Sequence, residues 1–529
     1  MKKILNKKRY KNVLSFALVF IALGCTDDLL EQTNNNATSN ANFGTSAKQV
    51  KKAVNAAFHP LTTAFSFGRV IQVGAHFRSD EAFIIDNGDN TVTNSLQGAP
   101  GARWVAEPWQ QFYKTIGRSN TIILGTTEDG VSDDVVRNSL VGQAYFLRAF
   151  SYWHLVLLYG NVPLVLEEPD LNNAFPFQAP PEDVWSVIIA DLEKAEQMLP
   201  ASWSGEDIGR PTSGAATALK GKSYLYIEDW ANAEIAFKEV VNSGLYALLP
   251  AAQFEDNFTE VNENNSESIF EFQFKGVETF LWGQDMPGTG TQGHFVIEYA
   301  APSVSPDMGF IVPPWIKDLY EANNDTIRRN ATIVYDYPGA TGYGGEDFLS
   351  DFVPDIRIAA EQALISPGVE PIFGKKYARF EMTREAASAD NLGAASGANF
   401  RVIRYADVLL MLAEALNEQT GKTPEGEGYL NQVRERANIT PHSGLSQADM
   451  RTAIIDERQM ELYLEGHRFF DLVRWNLAEM YLGQNSVHPI HPKSLVAGNG
   501  FFQVGQDELF WIPTVERNSN PNLEPNPGY

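Results

Sequence analysis

The stretch DERQMELYLEGHRFFDLVRW, Asp456 to Trp475, is the part of the chain best supplied for acid–base chemistry. Read as a helix, it sets Arg458, Glu461, Glu465, Arg468, Asp471 and Arg474 at spacings of three and four, mixing signs on neighbouring turns. A glycoside hydrolase needs two carboxyl groups facing a sugar across a cleft, roughly 5–10 Å apart. Here each acid has an arginine one turn away, which keeps a carboxyl ionised and makes it a poor proton donor. The spacing predicts an ion-paired scaffold helix and no catalytic residue. The eight histidines offer no metal site either. His488 and His491 stand three apart in HPIHP, but two prolines oppose a helix and no acid or cysteine completes a ligand set. His154 lies in an apolar helix and reads as a hydrogen-bonded core residue. DNGDN, Asp86 to Asn90, is dense in oxygen ligands yet lacks the spaced Glu of a calcium loop, so it reads as a turn. No nucleophile elbow, phosphate loop or dinucleotide fingerprint occurs. The expectation is no cofactor and no metal.

Binding a sugar calls for other residues. Sugar rings stack their C–H faces on aromatic side chains, and their hydroxyls seek carboxylate, amide and guanidinium partners. Such residues belong on loops over a rigid scaffold. Two regions have this character. Residues 78–104 supply Arg78, Asp86, Asn87, Asp89 and Trp104; residues 280–299 supply Phe280, Trp282 and Tyr299, with Tyr343 and Phe348 in a later loop. Trp282 comes first, because a Trp between glycine-rich segments has little helical core to join, and Trp104 second. Trp109, Trp153, Trp185, Trp230 and Trp475 lie on helical patterns and read as core.

The elements that must hold those loops are mainly helical. Val141–Tyr159 carries Phe146, Phe150, Trp153 and Leu157 on one face and apolar residues on the others, the mark of a buried helix ended by Gly160 and Pro163. Pro181–Met198 is amphipathic and opens on Pro and acids. Ser213–Val241 reads as two helices joined at Glu228–Trp230, a pair similar to a tetratricopeptide repeat of ~34 residues. Arg404–Asn417 and Gly428–Ala437 read as another pair. Between Ala251 and Phe400 the chain turns rich in Gly, Asn, Pro and Asp, with one alternating strand at Glu267–Phe274. The fold class expected is mainly α: a tetratricopeptide-like scaffold with a loop-rich region and a few short strands. The organisation expected is a signal peptide at 1–24, a tether at 25–45, helical parts at 46–250 and 401–529, and a ligand-binding region at 251–400.

The N-terminus and the charge balance narrow the partners. Six basic residues precede a 12-residue apolar run, Val13–Gly24, too short to span a bilayer and right for a signal peptide. Cys25 follows Gly24 and is the one cysteine in 529 residues. The arrangement resembles a bacterial lipobox, although Ala22 stands where Leu is usual, and it makes Cys25 the expected lipidation site. Without residues 1–24, the 41 basic residues become 35 against 66 acidic, a formal charge of −31. Such a surface repels phosphate backbones, so nucleic acid is not an expected partner, and a neutral glycan suits it better than an anionic one.

Six stretches together resemble the SusD/RagB family of outer-membrane lipoproteins. They are Trp109–Leu124, Gln143–Val165, GRPTSGAA from Gly209, RYADVLLMLAEALNE from Arg404, Asp456–Trp475 and the ending NPNLEPNPGY. The resemblance covers nearly the whole chain after Cys25, with small departures such as Gln143 where Glu is commoner. It implies a helical lid on four tetratricopeptide-like pairs, exposed at the surface of a Gram-negative cell and partnering a SusC-like TonB-dependent transporter. It implies capture of oligosaccharide or polysaccharide, without enzymatic activity, at an aromatic arc built from an early loop and the middle region. Asp27 and Asp28 resemble the acidic signal that sends such lipoproteins to the outer leaflet. A peptide-binding relative of the RagB kind is the first rival reading, and a glycoside hydrolase a remote one.

Overall fold

Helices form where apolar residues recur every three or four positions, and each is started by a specific cap. The computed structural model describes residues 43–82, 103–167, 174–275, 312–341, 345, 372–378, 396–487 and 501–529. The first helices are α1 (Ala47–Thr62), α2 (Val70–Arg78), α3 (Arg103–Gly125) and α4 (Asp134–Tyr159). The Ser46 hydroxyl caps α1 and the Asp133 carboxylate caps α4, accepting from the Val136 amide at 3.1 Å. That cap starts α4 seven residues before the apolar run, at a solvated turn that periodicity alone does not mark. A short hairpin, β1 (Val162–Pro163) with β2 (Gln178–Ala179), follows, then α5 (Pro181–Met198), α6 (Ser213–Tyr226) and α7 (Trp230–Asn242).

Each helix packs on the next: α1 on α3, α3 on α4, α4 on α5, α5 on α6, α6 on α7. The stack continues from α7 onto α10 (Tyr405–Asn417), which packs on α11 (Thr423–Arg436) and α12 (Gln447–Leu462). This is the tetratricopeptide-like scaffold expected. Arg148 of α4 locks three layers: it clamps the Asp191 carboxylate of α5 at 2.7 and 2.8 Å and donates to the Asn120 amide oxygen of α3 at 2.8 Å. Helix α11 begins five residues before its expected start. Two glycines obscured it, and Gly426 has a reason to be there, since a Cβ would lie 2.7 Å from the Ala413 carbonyl oxygen of α10.

Three two-stranded sheets complete the described elements. In the middle region, β3 (Ser268–Phe272) pairs antiparallel with β6 (Phe400–Arg404), Ser268 opposite Arg404 and Phe272 opposite Phe400. Arg404, expected to open a helix, is the last strand residue, and α10 starts at Tyr405. The middle region also holds a 3-10 helix at Ala251–Phe258, then α8 (Pro314–Ala322), α9 (Thr326–Thr332) and the pair β4 (Ile333–Val334) with β5 (Phe373–Gly374). Its described residues are therefore less irregular than the composition suggests.

Aromatic residues fill the join between the halves. The Phe67 ring meets Phe150 at 5.3 Å and Phe272 at 4.8 Å, tying the α1–α2 connection to α4 and β3. His154 stacks on Phe112 at 5.4 Å and shares its Nδ1 with the Phe150 carbonyl at 2.9 Å. It is the hydrogen-bonded core histidine expected, and burial depresses its pKa to about 3. The C-terminal part comprises α13 (Arg468–Arg474), α14 (Ala478–Leu482) and α15 (Thr514–Ser519). Its last turn is buttoned down by Asn526, whose amide donates to the carbonyls of Tyr159 and Phe510.

Candidate functional site

The acid-rich stretch Asp456–Trp475 is not one helix. It breaks after Leu462 at a turn in which Leu464 (φ 61°) and Gly466 (φ 83°) take left-handed conformations, and α13 resumes at Arg468. Asp471 keeps the partner expected one turn away, Arg474, but Glu461 and Glu465 find theirs in distant segments. Glu461 accepts from Arg404 of β6 at 2.9 Å, Arg436 of α11 at 2.6 Å and Arg328 of α9 at 3.1 Å. Glu465 takes Arg404 and Lys376, each at 2.7–2.8 Å. Glu457 bridges Arg328 at 2.6 Å and Arg434 at 2.7 Å, Glu267 meets Arg404 and Arg436, and Asp325 meets Arg328. Five cations and five anions are thus buried as one neutral cluster that ties the middle region to the helical stack.

A second cluster lies beside it. Arg458 bridges Asp407 at 2.7 Å and Asp471 at 2.8 Å, Lys222 reaches Asp407 at 3.1 Å, and Arg474 joins Asp471 to Glu414. Trp475 donates its indole N–H to Glu414 at 2.7 Å. Burial alone would raise these carboxyl pKa values, but the cations reverse it. Arg436, Arg404 and Arg328 hold Glu461 well below the carboxylate range, and Glu465 and Asp471 are lowered in the same way. None of the three is poised to give up a proton near neutral pH. Among the described residues no group of acids, histidines or cysteine is placed to hold a metal ion.

Of the residues expected to touch a ligand, two are described, and both are buried. Arg78 ends α2 with its guanidinium between the rings of Phe469 and Phe510, 4.1 and 4.2 Å from their centroids. It donates to the carbonyls of Asp507 and Leu509, and desolvation lowers its pKa to about 10. Arg78 is thus a strut between α2 and the C-terminal segment, not a sugar contact. The next residues are fixed as firmly: Asp80 pairs with Arg468 at 2.9 Å, and Glu81 with His76 at 2.8 Å. Trp104 lies in the first turn of α3, 4% exposed, with Arg69 5.4 Å from its ring. It was expected on a loop; the helix begins earlier than the apolar pattern shows and turns the indole inward. Phe280, Trp282, Tyr299, Asp86, Asn87 and Tyr343, like Cys25, Asp89, Phe348, His488 and His491, lie outside the described residues. Of the tryptophans expected in the core, Trp109 and Trp153 are buried, while Trp185, Trp230 and Trp475 are half-buried.

The described residues therefore supply the foundations of both expected loops. The pinned Ser79–Ala82 turn precedes residues 83–102, and α3 follows them. The middle region leaves β3 at Phe274, whose amide donates to the Asn399 side chain at 2.7 Å beside β6. No helix among the described residues is long and apolar enough to cross a membrane.

Comparison with known proteins agrees with this architecture. The SusD family model matches residues 374–529, and a model described as starch-binding associating with outer membrane matches residues 30–225. The chain is 29% identical to SusD-like protein P2 of Formosa agariphila over 99% of its own length and the whole of that protein. It is 23% identical to the starch-binding protein SusD of Bacteroides thetaiotaomicron over 84% of this chain and 82% of that one. Among solved structures, a SusD superfamily protein from Bacteroides vulgatus superposes with a TM-score of 0.75 at 27% identity, covering 92% of this chain and all of that one. A laminarin-binding SusD-like protein superposes at 0.69 and 26% identity, covering 91% and 99%.

Proposed function

We propose that this chain, matched by SusD-family models over residues 30–225 and 374–529, is a cell-surface lipoprotein of that family that captures a neutral oligosaccharide or polysaccharide. It is anchored in the outer membrane through Cys25 and passes its ligand to a SusC-like TonB-dependent transporter. It performs no covalent chemistry. The observation that carries the reading is the likeness to the laminarin-binding protein, which runs through 91% of the chain and is not confined to one motif. The clusters around Glu461 and Asp407 support it, because the carboxyls that looked most fit for hydrolysis are committed to arginine and lysine. Recognition falls to Trp282 first, with Phe280, Tyr299, Asp86, Asn87 and Tyr343, while Trp104 and Arg78 are buried. Stacking gives modest affinity for each ring, and a long chain adds to it.

The test is affinity electrophoresis of the purified protein in gels containing laminarin, starch, xylan, mannan or an acidic polysaccharide, with Trp282→Ala alongside. Retardation by a neutral glycan that weakens in the variant is the expected result. Retardation unchanged in the variant removes Trp282 from the site. No retardation by any glycan overturns the reading and makes peptide capture the leading one.

A further inference from the structure

Away from the expected loops, the segment before β2 and the C-terminal helix α15 close an open cleft of about 530 Å³ over the middle of α3. Its volume is in the range of small-ligand sites. Gln110, Tyr113 and Lys114 line it from α3, Phe175 from the segment before β2, and Glu516 and Ser519 from α15.

Two features set this cleft apart from an ordinary surface depression. The first is exposed aromatic surface on a fixed backbone. Phe175, in the cleft wall, is 55% exposed, and Phe177, two residues on and just outside the wall, 75%. A chain free to move would turn such rings inward, but this one is held. Asn522 donates to the Phe175 carbonyl at 2.6 Å, Asn520 to the Pro176 carbonyl at 2.9 Å, and Gln178 accepts from the Glu524 amide at 2.8 Å. The second is a polar wall with acceptors left over. The Tyr113 hydroxyl is spent on the Pro163 carbonyl at 2.8 Å, which fixes its ring. The Gln110 amide N–H reaches one oxygen of Glu516 at 3.2 Å, a bond that uses neither the Gln110 side-chain carbonyl nor the second Glu516 oxygen, so this wall of the cleft carries acceptors.

Ring faces beside carboxylate and amide acceptors match the two sides of a sugar, its C–H face and its hydroxyl edge. Lys114 and Glu516 together leave the cleft wall without net charge, which suits an uncharged ligand better than a phosphate or sulfate, and a lipid tail would leave the acceptors unmet. We propose that this cleft is a second carbohydrate subsite, gripping a further stretch of the same neutral polymer. The inference rests on the reading of the chain as a glycan binder and adds to it a site that the loop residues do not include. Its benefit is avidity: once one stretch of polymer is held, the next binds as an intramolecular step.

The test compares the parent, Trp282→Ala, the double variant Phe175→Ala/Phe177→Ala, and the triple variant. Each is run in gels containing laminarin or starch and titrated with laminarihexaose or maltohexaose. The double variant should weaken retention by polymer about fivefold while leaving hexaose affinity within twofold, as loss of one of two linked sites does. Trp282→Ala should keep residual polymer retention that the triple variant loses. Because both phenylalanines are exposed, the double variant should fold normally; Gln110→Ala, which keeps the rings, should weaken retention in the same direction. Retention of the double variant equal to the parent, with Trp282→Ala alone abolishing it, overturns the subsite and leaves the loop site standing. The converse result establishes the cleft and removes the loop site. If no form is retained, the glycan reading falls and the subsite with it. If retention is kept but co-purification with the transporter is lost in the double variant, the cleft is a protein-docking face and the proposal is wrong.

Discussion

Replacing Glu461 by Gln changes one atom in the middle of the larger ion cluster and very little of its shape. Glu461 is fully buried, and its carboxylate faces three guanidiniums at 2.6–3.1 Å. Gln keeps one acceptor oxygen and turns an NH₂ group towards an arginine, leaving five buried cations against four anions. Removing one partner of a buried pair costs about 3–5 kcal/mol, because the remaining charge stays out of water without compensation. The cluster has little slack to relax into, since Nη2 of Arg328 and Nε of Arg436 already lack hydrogen-bond partners. Urea denaturation of parent and variant measures the difference. A second signature is its pH dependence. The Glu461 carboxyl is depressed below its unfolded value of about 4.3, so its stabilisation is fully present above that pH and lost as pH falls through the folded value. Glu461→Gln should therefore lose stability less steeply than the parent below about pH 4.5. Adding Arg436→Met restores neutrality, and the pair should cost less than the sum of the two single changes. A loss under about 1 kcal/mol, or parallel acid limbs, would refute the claim that the cluster binds the middle region to the stack.

Three further outcomes are expected. Arg78→Met keeps the stacked volume between Phe469 and Phe510 but takes the guanidinium donor from the Asp507 carbonyl and leaves Leu509 with the Tyr529 hydroxyl alone; it should cost about 1–3 kcal/mol and raise amide hydrogen exchange at residues 507–511. His154→Phe removes a group whose folded pKa, about 3, lies below its unfolded value near 6.5, so the parent loses stability as pH falls from 6.5 and the variant should show a flatter profile between pH 6.5 and 4. At neutral pH the same variant forfeits the bond to Phe150. Gly426→Ala should destabilise by about 1–3 kcal/mol in thermal melts, because its Cβ meets the Ala413 carbonyl at 2.7 Å.

What could be read from the sequence depended on whether the cause was local. Pro181–Met198 was legible to the residue because Pro, acids and an apolar stripe all lie within it. The α6–α7 turn was legible for the same reason. Arg404 was misplaced because its strand is defined by a partner more than a hundred residues away, beyond any window of periodicity. The role of the acids in Asp456–Trp475 was foreseen, and so was Arg474 as a partner of Asp471, but the partners of Glu461 and Glu465 were not. Charge spacing reveals that an acid needs a cation, but only the fold decides that Glu461 finds it in Arg328, Arg404 and Arg436. Arg78 and Trp104 had the right chemistry for a sugar site, yet burial is a property of neighbours such as Phe469 and Arg69 that no residue type announces. The cleft beside Phe175 carried no motif at all: its rings sit on a non-helical segment and its wall comes from the far end of the chain.

The pairing of β3 with β6 has a consequence for how such a protein can diversify. Lys275 and Ser396 are the last and first described residues on either side of the middle region, and both adjoin paired strands. Within that interval Val312 and Ile372 join through a backbone bond, and Arg328 and Lys376 are tethered to α12 and the turn that follows it. The described parts of the interval are thus fastened to one another and to α12 like cloth stitched to a frame. None of these named stitches uses a residue of 276–311, 346–371 or 379–395. Under the function proposed above, exchanging residues between the stitches is the route by which such a protein would change its ligand while keeping this frame.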